Sequence, residues 1–202
     1  MARSQGAEIL MQSSSNCEAS KIRVFVGLQT LAGDWLAPVR QSLYEESYPG
    51  IESLRLTPER NLHVTLKFLG LMAEEAIPEL SLHLAQVCAK HQVFNYHCRG
   101  LGHFKQSIWL GVDPSPELLA LSKDIENCCA LLGFAAEQKR FTPHVTMARY
   151  GKAARPPLSN LTDRFGEQEW FVGAISEACL FKSETLPAGA KYTVIERYPL
   201  KP

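Results

Sequence analysis

Two histidines and two threonines recur in this chain at one spacing, as His63-Val64-Thr65-Leu66 and again as His144-Val145-Thr146-Met147. Both copies sit in stretches that read as β-strands, where side chains alternate between faces, so each imidazole shares a face with the hydroxyl two residues on. In the first copy Asn61, His63, Thr65 and Lys67 form a polar row, and Leu62, Val64, Leu66 and Phe68 form an apolar row suited to a core. Two imidazoles on one cleft can hold opposite protonation states near neutral pH, because modest differences in environment separate their titrations. One can take a proton while the other gives one. That is what in-line displacement at phosphorus requires, with a base activating the attacking oxygen and an acid protonating the leaving oxygen. The threonine hydroxyls are neutral donors suited to the non-bridging phosphate oxygens. Such a scheme needs no metal.

The other four histidines, His83, His91, His97 and His103, do not converge in a ligand pattern, and no His-Glu-x-x-His occurs. They read as structural or exposed.

The two motifs and their surroundings resemble the 2H phosphoesterases, and within them the RNA 2',3'-cyclic phosphodiesterase branch, also called the 2'-5' RNA ligase family. The resemblance extends from about Arg23 to the C-terminus. It rests on Arg23-Val24-Phe25-Val26-Gly27-Leu28, on Asn61 to Gly70, on Trp109-Leu110-Gly111-Val112 and on Arg140 to Arg149. Met147 stands where a smaller aliphatic residue is more usual. The resemblance implies that His63 is the proton donor and His144 the proton acceptor, with Thr65 and Thr146 holding the phosphate. It makes Arg140 a candidate for neutralising phosphate charge, which a guanidinium suits. A near-symmetric site leaves the acid and base labels exchangeable.

The implied reaction opens a 2',3'-cyclic phosphate at an RNA end to a 2'-phosphate, without cofactor or metal. Run in reverse with a 5'-hydroxyl, it joins RNA through a 2'-5' linkage. The alternatives are a phosphodiesterase for another cyclic or 2'-5' nucleotide, and a nucleotide-binding module without turnover. Both intact His-x-Thr pairs weigh against the last.

The elements that must carry these motifs repeat as well. Val24 to Leu28 reads as a strand, Leu31 to Tyr44 as helical, and the first motif follows a turn at Pro49-Gly50. Ser107 to Val112 reads as a strand and Pro116 to Leu132 as an amphipathic helix with Leu118, Leu121, Ile125, Cys128 and Leu132 on one face. Ser115 is its expected N-cap. Between the halves lie a helical pattern from Glu74 to Lys90 and a strand from Phe94 to Gly100. Three strands are expected at the end, Glu169 to Val172, Ile175 to Phe181 and Lys191 to Tyr198, broken by Gly173 and by the turn around Pro187. The order predicts an α+β fold. Two lobes related by a pseudo-two-fold axis would set the His-x-Thr strands side by side across a central cleft, with antiparallel sheets lining it and helices outside.

Composition bounds the rest. The 202 residues are 46% hydrophobic with Lys plus Arg equal to Asp plus Glu, which suits an ordinary globular domain and excludes a protein that grips long duplex by charge alone. Six cysteines without a Cys-x-x-Cys point to free thiols in a reducing cytoplasm. Residues 1–20 form a polar segment expected to be disordered, with no apolar run suited to a signal peptide or membrane span and with Met11 as an alternative start. Residues 21–202 are expected to form a single bilobal domain that works as a monomer. Phe104, Trp109 and Tyr192 could offer a stacking surface, although aromatic residues are more often core.

Overall fold

The computed structural model describes residues 20–44, 49–152, 154, 156, 158–187 and 189–202. The expected N-terminal tail lies outside these residues, apart from Ser20. Among the described residues nine strands and four α-helices follow in the order β1 (Lys21–Gln29), α1 (Leu36–Ser42), β2 (Arg55–Leu56), β3 (His63–Ala73), α2 (Ile77–Cys88), β4 (Phe94–Phe104), β5 (Ser107–Val112), α3 (Pro116–Leu131), β6 (His144–Arg149), α4 (Leu158–Phe165), β7 (Glu169–Ile175), β8 (Glu177–Leu186) and β9 (Gly189–Pro199).

Eight strands form one antiparallel sheet in the order β7-β4-β5-β6-β3-β1-β8-β9, and β2 pairs with β6. The sheet is curled, and its symmetry is visible in that order. The two His-x-Thr strands are the central pair, β5 and β1 flank them, and two further strands complete each side. The seam between the halves is short, with Val64 opposite Val145 as its single ladder pair. This is the bilobal α+β arrangement expected from the repeat.

Helices cover one face. Leu80, Leu84 and Cys88 of α2 and Leu118, Leu121, Ile125 and Cys129 of α3 are buried against the sheet and each other. Ser115 caps α3 as expected, its Oγ accepting from the Leu118 amide at 3.2 Å. The other face of the sheet is concave and carries the polar residues.

Three details depart from the sequence reading. The first helix is shorter than Leu31 to Tyr44, because Leu31 is exposed and the apolar face begins at Leu36. Gly173 does not break a strand but lies within β7, where a Cβ would press on the Tyr96 ring. The third concerns β3. Its register against β1 skips Leu66 and Leu69, so each is a bulge. One bulged residue exchanges the faces of everything beyond it. Lys67 therefore turns to the helical side and is only 5% exposed, while Phe68, read as core, is 68% exposed.

Candidate active site

The same device shapes both motifs. The β6 register against β5 skips Met147 as β3 skips Leu66. Burial then runs identically along His63–Phe68 and His144–Arg149: half-buried, buried, half-buried, buried, buried, exposed. Extending the Val64–Val145 pairing by one residue each way sets Thr65 opposite His144 and His63 opposite Thr146. The four residues of the two His-x-Thr motifs thus form a two-by-two array on the concave face.

Each imidazole is oriented by the backbone. His63 Nδ1 lies 2.6 Å from the Asn61 carbonyl oxygen, and His144 Nδ1 lies 2.8 Å from that of Thr142. A carbonyl oxygen only accepts, so in both rings Nδ1 carries the hydrogen and Nε2 is left for chemistry. In His63 that Nε2 accepts from Thr65 Oγ1 at 3.1 Å. Asn61 is itself anchored, its Nδ2 donating to the Ala190 carbonyl at 2.7 Å and its Oδ1 accepting from the Tyr192 amide at 3.4 Å.

Aromatic rings wall both histidines. Phe25 lies 4.8 Å from the His63 ring and Tyr192 meets it edge-on at 5.1 Å, with Phe181 behind at 5.8 Å. Phe104 meets His144 edge-on at 5.1 Å, and Trp109 stands 5.9 Å away. Trp109 lies across Gly102, where any Cβ would overlap the indole, so glycine is required there. Phe104, Trp109 and Tyr192 therefore all serve the site as its walls.

These walls tune the bases. Burial pulls His63 down to about 4, partly offset by its bond to Asn61, and repulsion from His144 and Arg149 lowers it further. His144 is also lowered, again first by burial, then against the Thr142 bond and with repulsion from Arg149. His144 thus lies close enough to His63 to disfavour its proton.

Arg149 acts on both histidines and was not singled out from the sequence. Strict alternation puts a residue five after His144 on the opposite face, and only the bulge at Met147 brings it to the cleft. Arg140 lines a cavity of about 600 Å³ together with Thr65, Phe68, Phe104, Lys123 and His144. The structure thus sets Arg140 on the His144 side of the array. Lys67 reaches the floor of this cavity, where its Nζ meets Glu126 Oε1 at 2.7 Å and the Ala135 carbonyl at 2.6 Å.

The remaining histidines sit outside the array. His83 bonds the Glu79 carbonyl, His91 pairs with Asp124, His97 lies beside Glu169, and His103 is exposed. Among the described residues no three His, Cys, Asp or Glu side chains converge as a metal site would require.

Paired His-x-Thr strands at the centre of a curled antiparallel sheet define a two-histidine phosphoesterase. Residues 36–185 match the family model of the 2'-5' RNA ligase superfamily. The RNA 2',3'-cyclic phosphodiesterase of Thermotoga maritima is 35% identical over 153 residues, covering 68% of this chain and 74% of that protein. That of Aquifex aeolicus is 28% identical over 186 residues, covering 89% of this chain and 97% of its own. The fold is shared with Escherichia coli LigT, solved with 3'-AMP, at a TM-score of 0.71 and 23% identity over 91% of this chain and all (100%) of that one. It is shared equally with TT0787 of Thermus thermophilus, at a TM-score of 0.73 and 23% identity over 89% of this chain and 98% of that one. The chain belongs to the 2'-5' RNA ligase superfamily.

Proposed function

We propose that this enzyme hydrolyses RNA 2',3'-cyclic phosphate to a 2'-phosphate, with His144 as base and His63 as acid. The observation that carries the reading is the matched pair of imidazoles, each held by a carbonyl through Nδ1 so that Nε2 is the nitrogen that exchanges a proton. Access to the cavity supports this division of roles. His144 opens onto the cavity, where water reaches it, while His63 is walled by Phe25, Phe181 and Tyr192.

In the forward step His144 Nε2 takes a proton from water as the water oxygen bonds to phosphorus. The bond from phosphorus to the 3' oxygen breaks in line, and His63 delivers a proton from Nε2 to that oxygen. Thr65, Thr146 and Arg140 donate to the non-bridging oxygens, where charge is held through the transition state. Because burial disfavours both imidazolium forms, the anionic phosphate itself supplies the field that protonates the acid.

The cavity supports a second attacking group too. About 600 Å³ beside His144 far exceeds the ~30 Å³ share of one water. A nucleoside 5'-hydroxyl fits where water attacks, which gives 2'-5' ligation.

Incubation with a short RNA ending in a 2',3'-cyclic phosphate, with EDTA present, tests the reading. Wild type is expected to yield a 2'-phosphate, and His63→Ala and His144→Ala to lose about 10²-fold or more. Full activity in either variant, or a 3'-phosphate product, would overturn it. We place this activity in a monomer in the cytoplasm, consistent with the free, buried state of Cys88, Cys98, Cys128, Cys129 and Cys179. Cys17 lies outside the described residues.

A further inference from the structure

Arg55 in β2 is the ladder partner of Arg149 in β6, and both are exposed. The next pair along, Leu56 and Ala148, packs on the core. The two arginines therefore project to the concave face, the one that carries His144 and Thr146. Like charges directly opposite on a sheet repel, and a guanidinium cannot shed its proton to relieve that. Among the described residues no carboxylate pairs with either arginine.

The repulsion is built onto a braced strand. The Thr57 amide donates to the Met147 carbonyl at 2.8 Å, Arg40 Nη2 donates to the Thr57 carbonyl at 2.9 Å, and the Gly151 amide donates to Ser53 Oγ at 3.0 Å. These bonds hold β2 against β6. An anion between the guanidiniums converts the repulsion into two charge-assisted contacts.

That anion need not be the phosphate undergoing reaction. Thr146 marks the level of the reacting phosphate, and with Met147 bulged out Arg149 lies about two strand steps beyond it, ~7 Å. One sugar spans the same interval between successive phosphates of a nucleic-acid chain. At the pseudo-symmetric position, five residues after His63, stands Phe68 instead of a cation. The two motif strands thus differ at this level, with a pair of arginines beyond the second motif and a phenylalanine beyond the first.

We propose that Arg55, together with Arg149, binds the phosphodiester on the 5' side of the terminal ribose, so that RNA ends carrying that phosphate are selected over unsubstituted nucleoside cyclic phosphates. The inference rests on the phosphodiesterase reading above and names the part of the RNA that the site recognises. The salt dependence of binding follows from it, since each neutralised phosphate releases counterions.

Calorimetric titration of the full chain with adenosine 2'-monophosphate and with adenosine 2',5'-bisphosphate tests it without turnover. Wild type is expected to prefer the bisphosphate by about tenfold. Arg55→Gln is expected to bring that ratio to about twofold, and Arg55→Lys, which keeps the charge but not the planar fork, to an intermediate value. The kcat/KM ratio between a cyclic phosphate with and without a 5'-phosphate should fall in parallel. Equal affinity of wild type for the two ligands overturns the proposal without any variant, and so does an unchanged ratio in Arg55→Gln or, if that variant does not fold, in Arg55→Lys. Bisphosphate preference without turnover of any cyclic phosphate would overturn the reaction and leave the anion site standing. Turnover without that preference would do the reverse.

Discussion

Lys67 Nζ lies 2.7 Å from Glu126 Oε1, joining the first catalytic strand to α3 beneath the cavity that opens on His144. Glu126 also accepts from the Glu137 amide at 2.9 Å, and Lys67 donates to the Ala135 carbonyl. One buried cation thus ties down the segment that leads to Arg140 and Thr142.

Removing that cation is expected to be costly. Lys67→Met leaves Glu126 and a carbonyl without their partner, which in a buried setting costs about 3 kcal/mol. Since Glu126 is a quarter exposed (25%), a loss of about 2–3 kcal/mol is expected in urea unfolding. Pairing it with Glu126→Leu should recover part of this. A stability unchanged within about 0.5 kcal/mol would show that the pair contributes little.

The rate should follow a bell-shaped dependence on pH. For kcat/KM the maximum falls midway between the two imidazole values in the free enzyme. His63 is at about 4 and His144 is lowered from 6.5, so that maximum lies below pH 6.5. Bound phosphate favours both imidazolium forms, so the kcat optimum moves to higher pH. Profiles of both constants from about pH 4 to 9 check this, and a kcat/KM maximum above about pH 7 would contradict it.

The same burial couples folding to pH. His63 titrates near 6.5 unfolded and about 4 folded, so the folded state resists taking the proton. Its contribution is fully present above pH 6.5 and is lost as pH falls toward 4, up to about 3 kcal/mol. His63→Gln should flatten the loss by a comparable amount, while the carboxylates affect both chains alike. Denaturation midpoints at the two ends of that window give the comparison. Parallel losses in wild type and variant would remove His63 as a source of acid sensitivity.

What could be read in advance was whatever repeats or alternates. The His-x-Thr pairs, the strand-helix-strand halves and the capped face of α3 all carry a periodic signal, and the structure has them. The bulges carry none. Strict alternation sends Phe68 to the core and Lys67 to the cleft, and it hides Arg149 altogether, because one unpaired residue reverses the faces beyond it. Two elements were also missing from the sequence reading. Arg55–Leu56 is too short for any period to show, and it forms because β6 offers a partner. Leu158–Phe165 follows a proline-containing stretch that reads as a connection. The aromatic walls fell between two expectations, since Phe104, Trp109 and Tyr192 are partly packed and partly facing the imidazoles.

The strand order has a consequence for how the molecule is made. His63 comes early in the chain, but Phe181 and Tyr192, which wall it, belong to β8 and β9 at the far end. On a ribosome each motif emerges with one flanking strand already made, β1 for the first and β5 for the second, but the remaining walls of His63 must wait for nearly the whole polypeptide. A nascent chain interrupted before β8 would carry His144 with both of its aromatic neighbours and His63 with Phe25 alone.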